Sequence, residues 1–143
     1  MGRFAYRYDR HEETGLHTIR LSALGADPAH EQSSAQIAPE FGNNLLSLQV
    51  EGKEYLYAQA KGECKLLGTP ILYPMPNRVR DGRFSFDGRS FAFVPNNGPH
   101  FIHGLVRDRP WQCDEPAISA EGVSVTTRIA FEPGGEIYDL FPI

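Results

Sequence analysis

Cysteine is scarce in this chain of 143 residues: Cys64 and Cys113 are the only two. They show no Cys-x-x-Cys spacing, which argues against a structural zinc site. Long apolar runs are missing too. No stretch approaches the roughly 20 apolar residues of a membrane-spanning helix. The opening MGRFAYRYDRHEET holds no apolar segment of the kind a secretory leader carries. Two free thiols in a reducing cytoplasm are therefore expected. Basic charge is not in excess either. Lys and Arg number 14 against 18 Asp and Glu, a formal net charge of −4. Nucleic acid and anionic membrane are accordingly not expected partners. GxSxG, HExxH, Walker and GxGxxG patterns are all absent, so serine-hydrolase and nucleotide-binding chemistry find no support.

What the chain does have is punctuation. Fourteen glycines and eleven prolines exceed a sixth of its residues, against a usual share of about 12%. Many short elements joined by turns are implied, hence β structure. Apolar residues recur at period two more often than at 3.6. Leu16–Leu24 and Ser34–Ala38 read as strands. Asn43–Val50 reads as a strand with Leu46, Leu48 and Val50 on one face; Glu51-Gly52 turns it into a return strand over Lys53–Tyr57. Arg83–Phe86, Asp87-Gly88 and Arg89–Val94 form the clearest hairpin, since Asp-Gly supplies the positive φ angles of a type I′ turn. That register sets Phe84 opposite Phe91 and puts Phe84, Phe86, Phe91 and Phe93 on one core face. Trp111-Gln112-Cys113 opens another strand, and Val123, Val125, Thr127, Ile129 and Phe131 alternate along a further one. Glu136–Ile143 starts either a helical turn or an extended segment. The expected fold class is all-β, an antiparallel β-sandwich.

Two segments differ from ordinary turns. In GTPILYPMPNRVR (68–80) three prolines stiffen the approach to Asn77-Arg78. An amide beside a guanidinium suits vicinal hydroxyls, because Asn donates and accepts while Arg presents a fixed fork of donors. An ion pair between Arg78 and a surface carboxylate is the plainer alternative. In NNGPHFIHGLVRDRPW (96–111), His100 and His103 stand three apart. Gly and Pro flanks disfavour a helix, and on a strand the two imidazoles would face opposite sides. A two-His metal site is thus not expected, while His103 next to Gly104 can donate a hydrogen bond or move a proton near neutral pH. A purely structural histidine is the competing reading.

Together, GNNLLSLQVEGKEYLY, GTPILYPMPNRVRDGRFSFDGRSF and NNGPHFIHGLVRDRPW resemble the galactose mutarotase-like family, aldose 1-epimerases in particular. The combination of PNR, DGRF and a later HG carries the resemblance, over Gly42–Trp111. It implies a β-supersandwich about twice this length, with a hexose sugar in an open cleft and no cofactor or metal. It also implies interconversion of α and β anomers by ring opening, in which a base takes the C1-hydroxyl proton and an acid protonates the ring oxygen. By this resemblance Arg78 binds sugar hydroxyls, Asn77 supports it, and His103 is the catalytic-site histidine near the ring oxygen. His100 has no matching role, and Asp108 and Arg109 structure the loop. The family's second His and its Glu base fall beyond Ile143, so the chain on its own is expected to be inactive.

The expected organisation is one domain over 1–143, the N-terminal part of a supersandwich. Two further readings compete: a carbohydrate-binding module without chemistry, and a hexose-phosphate epimerase relative whose Arg78, Arg80, Arg107 and Arg109 meet a phosphate. Open sheet edges point to self-association as a homo-oligomer.

Overall fold

A computed structural model of the protein describes residues 3–12, 14–56 and 68–142. Cys64, Tyr57 and the irregular stretch up to residue 67 lie outside the described residues. The described chain is all-β and antiparallel, as expected from the sequence, with a single five-residue helix. It groups into two compact units, Met1–Ile71 with Asp108–Arg128, and Leu72–Arg107 with Ile129–Ile143.

The first unit is built on a meander of β1 (Phe4–Arg10), β2 (His17–Leu24), β3 (Glu31–Ala38), β4 (Asn44–Val50) and β5 (Lys53–Glu54), hydrogen-bonded in that order. β1 carries its own signal, the alternation of Phe4, Tyr6 and Tyr8, which the sequence reading left unassigned. Register puts Tyr6 opposite Leu21, Leu21 opposite Ala35 and Ala35 opposite Leu48, so one face is apolar. Phe4, Leu21, Ala35 and Leu48 on that face, together with Val123, line a cavity of about 260 Å³. Val123 belongs to β12 (Val123–Ser124), which pairs with β11 (Ala117–Ile118), while β10 (Gln112–Cys113) pairs with β13 (Thr127–Arg128). Burial does alternate along 122–131, but the expected single strand is split into these two, each with a different partner.

The opposite face of the meander is polar and yet buried. Thr18, Ser22, Ser34, Gln36 and Ser47 are each at most 6% exposed. Buried polar groups need partners, and here they have them: Gln36 Nε2 donates to Thr18 Oγ1 (2.8 Å) and Ser22 Oγ to Glu31 (2.8 Å). Arg20 grips Glu31 through Nε and Nη2 (3.0 and 2.6 Å) and also reaches Ser34 and Gln49. Partial burial pushes the Glu31 carboxyl up. The hydrogen bonds from Arg20 and Ser22 and the charges of Arg20 and Arg7 more than offset this, so it sits below its ordinary value.

A group whose pKa is lower folded than unfolded adds stability above its unfolded value of about 4.3, and that stability is lost as pH falls through the folded value. Glu31→Gln is therefore expected to cost about 1–3 kcal/mol at neutral pH. The gap between the variant and wild type should close on acidification below about pH 4. Urea unfolding at a series of pH values checks both limbs; a gap independent of pH would contradict the assignment.

One expectation about this sheet is corrected. Leu46, Leu48 and Val50 do not share a face. The β3–β4 register shifts between Gln36 and Ile37, pairing them with Ser47 and Leu45, so Leu46 is the extra residue of a β-bulge. A one-residue slip reverses the side-chain alternation. Leu46 is fully buried beside Ala38, with Leu16 and Phe41 packed against them, while Leu48 turns to the apolar face and Val50 ends 38% exposed. The expected turn Glu51-Gly52 is present, with positive φ at both residues (52° and 73°).

The second unit centres on phenylalanine. β7 (Arg83–Phe86) and β8 (Arg89–Ala92) form the hairpin that the Asp-Gly turn foretold, with Phe84 opposite Phe91. Phe91, Phe93 and Phe101 are buried, and Phe84, Met75, Val79, Leu105, Leu140 and Phe141 pack against them. Phe86 is not in that core. It stands opposite Arg89 at the hairpin tip, beyond the reach of the other rings, and is 71% exposed. The tail forms α1 (Glu136–Leu140), the helical one of the two expected alternatives, through which Leu140 and Phe141 reach the cluster.

Candidate functional site

Asn77 ends the proline-rich approach, and its side chain accepts a hydrogen bond from the Arg78 N–H (2.8 Å) at the start of β6 (Arg78–Val79). β6 pairs antiparallel with β9 (Phe101–Ile102), Arg78 opposite Ile102 and Val79 opposite Phe101. The next position out along this ladder is Asn77 on one strand and His103 on the other. Three residues singled out from two separate sequence segments thus stand together, all in the second unit.

The 96–103 segment is shaped to deliver His103. The Asn96 and Asn97 N–H groups both donate to the His100 carbonyl (3.0 and 2.9 Å), and His100 N–H donates back to the Asn97 carbonyl (3.1 Å). Asn96 then acts like a strand backbone, since its amide donates to the Ile102 carbonyl (3.1 Å) and accepts from the Ile102 N–H (2.8 Å). Asn97 points its Oδ1 at Arg78, accepting from Nη2 at 3.2 Å. Arg78 therefore has an amide partner in place of the surface carboxylate considered as its alternative.

His100 is anchored differently. Its Nδ1 accepts the Asp81 N–H (3.1 Å) beside the 3-10 turn Arg80–Gly82, a structural use of the ring. Among the described residues no cluster of three or more His, Cys, Asp or Glu could hold a metal ion.

His103 and Gly104 both adopt positive φ, 70° and 72°. For histidine this is a sparsely populated conformation, of the kind held in place by surrounding structure and enriched at functional sites. The surroundings here are backbone. Leu105 N–H donates to the Tyr73 carbonyl at 2.7 Å, and a Cβ on Gly104 would lie 2.3 Å from that same oxygen. The approach around Tyr73 and the His-Gly turn are thereby locked together. His103 is half-buried, Asn77 and Arg78 exposed. Arg107, four residues on, directs Nη1 at His103 Nδ1 (3.3 Å).

Asn97 is the residue that sequence reasoning did not place at the site, and Arg107 entered there only as a phosphate contact, without a link to His103. Asn97 lies 19 positions from Arg78, and no local spacing signals that pair. Arg107 follows His103 by four, a spacing that suggests contact only on a helix, and this segment is not one.

Amide, guanidinium and imidazole groups on neighbouring positions of one short ladder offer the donors and acceptors that hydroxyl-rich ligands use. Residues 29–142 match the aldose 1-epimerase family. The chain belongs to that family. Its fold is similar to two solved structures. One is a galactose mutarotase-like protein from Clostridium acetobutylicum, with a TM-score of 0.76 and 23% identity over 97% of this chain and 42% of that one. The other is galactose 1-epimerase from Lactobacillus acidophilus NCFM, with a TM-score of 0.55 and 15% identity over 84% of this chain and 36% of that one. At these identities the likeness speaks for the fold, the galactose mutarotase-like β-sandwich. The chain spans less than half the length of either structure. No described helix is long and apolar enough to cross a membrane.

Proposed function

We propose that this chain supplies the sugar-gripping part of an aldose 1-epimerase, holding a free hexopyranose through Arg78, Asn77 and His103. The observation that carries the reading is the β6–β9 ladder, which sets Asn77-Arg78 beside a His103 held at positive φ. Arg78 offers donors to vicinal hydroxyls, with Asn97 steadying the fork. Asn77 holds the Arg78 N–H where β6 begins. His103 stands where a ring nitrogen can meet a sugar oxygen.

In the complete reaction, a base removes the C1-hydroxyl proton while an acid protonates the ring oxygen. The C1–O bond to the ring opens, C1–C2 rotates, and reclosure gives the other anomer. Neither Glu136 nor Asp139 is assigned as the base; Asp139 Oδ1 instead accepts the Gly134 N–H (3.2 Å) at the start of α1. The proposed activity of these residues is binding, in the cytoplasm and without a cofactor. Self-association through β1 and β5, the outermost strands of the described five-stranded sheet, belongs to the same reading.

The test is a titration of the chain with D-galactose or D-glucose followed by ligand-observed NMR, alongside polarimetry of the fresh α anomer. Binding is expected without acceleration of mutarotation. Arg78→Ala and His103→Ala should each weaken binding about tenfold or more, the scale of a lost charge-assisted hydrogen bond. Unchanged affinity in both variants would remove the site from this ladder.

A further inference from the structure

We infer that Arg107 is a positioning residue that fixes the tautomer of His103, making its Nε2 a hydrogen-bond donor. The inference rests on the hexose-site reading for its purpose, but its geometry stands alone. Arg107 Nη1 lies 3.3 Å from His103 Nδ1. A guanidinium carries five N–H donors, no acceptor, and is always protonated. A hydrogen bond between these atoms can run only one way, so Nδ1 must accept. A neutral imidazole with an accepting Nδ1 carries its proton on Nε2. His103 is half-buried and its backbone is held at positive φ next to the Gly104–Tyr73 contact.

The chemical consequence is specific. A doubly protonated imidazolium would set an Nδ1–H against the guanidinium, donor against donor. An Nδ1–H tautomer would do the same and leave Nε2 a bare acceptor, unable to meet an ether or carbonyl oxygen. The arrangement seen leaves the proton on Nε2, a donor suited to an acceptor-only ligand atom such as a pyranose ring oxygen. Arg107 contacts Nδ1, and the proton it directs to Nε2 is the one offered to a ligand, so it acts through His103.

The molecule holds its own reference. His17 is gripped from both sides: Arg10 Nη2 lies 2.7 Å from its Nε2, and Glu40 Oε2 lies 3.2 Å from its Nδ1. By the same rule Nε2 accepts there and Nδ1–H donates, the opposite tautomer.

Long-range ¹⁵N–¹H correlation spectra of the full chain read the two patterns directly, because protonated and bare ring nitrogens differ widely in shift. At neutral pH, wild type should show His103 as Nε2–H and His17 as Nδ1–H. Arg107→Ala should broaden or mix the His103 pattern and leave His17 unchanged. Arg107→Lys, which keeps a donor, should restore much of the Nε2–H pattern. A wild-type His103 that is Nδ1–H or an even mixture overturns the inference without any variant, as does a pattern indifferent to Arg107→Ala.

Galactose titration then separates the two layers. Arg107→Ala should weaken binding roughly three- to tenfold, less than His103→Ala. If wild type shows the fixed tautomer but binds no hexose, the hexose reading fails and the role of Arg107 stands. If hexose binds while the tautomer ignores Arg107, the inference alone fails.

Discussion

Gly104→Ala is expected to be the most damaging small substitution in the second unit, costing about 3 kcal/mol or more of its stability. Two penalties add. A residue with a Cβ at φ 72° pays roughly 1–2 kcal/mol for left-handed backbone. The new Cβ would also stand 2.3 Å from the Tyr73 oxygen and 2.6 Å from its carbonyl carbon. Those are main-chain atoms, and no rotamer can move them aside. Relief requires parting Tyr73 from Leu105 and losing their 2.7 Å hydrogen bond. Gly88→Ala separates the terms: its φ is 70°, but nothing lies within 4 Å of the added carbon. That control should cost only about 1–2 kcal/mol. Urea denaturation compares the totals, and amide exchange at Leu105 should quicken in Gly104→Ala alone. Equal losses in the two variants would show that close packing at Gly104 contributes nothing.

Phe93→Ala is expected to cost about 3–5 kcal/mol, the usual toll of emptying an aromatic site in a core. Phe93 is 5% exposed and stacks on Phe101 at 4.9 Å and Phe84 at 6.0 Å between centroids. Phe101 lies in β9 opposite Val79 of β6, so the cavity would open directly beneath the ladder that bears Arg78. Hexose affinity should therefore fall along with stability. Phe86→Ala, at a ring 71% exposed, should change stability by no more than about 0.5 kcal/mol. If the two substitutions prove equally costly, the phenylalanine cluster is not the organising core of this unit.

Much of this was legible in the sequence, and the reasons are local. Strand β2 announced itself by its alternation, and the β7–β8 hairpin by Asp-Gly between matched phenylalanines. The pairing of Asn77-Arg78 with His103 was foreseen only as a site shared by resemblance; the ladder joining them is non-local and leaves no mark in spacing. The bulge at Leu46 was invisible for the same reason: an extra residue is defined by its partner strand, which periodicity cannot see. Phe86 misled because face alone does not bury a ring; something must lie over it. The buried polar face of the meander is hidden as well, since the partners of Thr18, Ser22, Ser34 and Gln36 lie on other strands or depend on cross-strand register.

The β6–β9 ladder has a practical corollary. Its two strands are joined through the β7–β8 hairpin, which closes on itself by its own turn and Phe84–Phe91 pair. The two arms that hold the proposed ligand are thus bridged by a segment whose tip, Phe86 to Arg89, is exposed. A reporter dye or an affinity handle inserted at Asp87-Gly88 would sit on a self-contained spur. Instrumented in that way, the chain would report on the proposed sugar binding with label and grip altered separately.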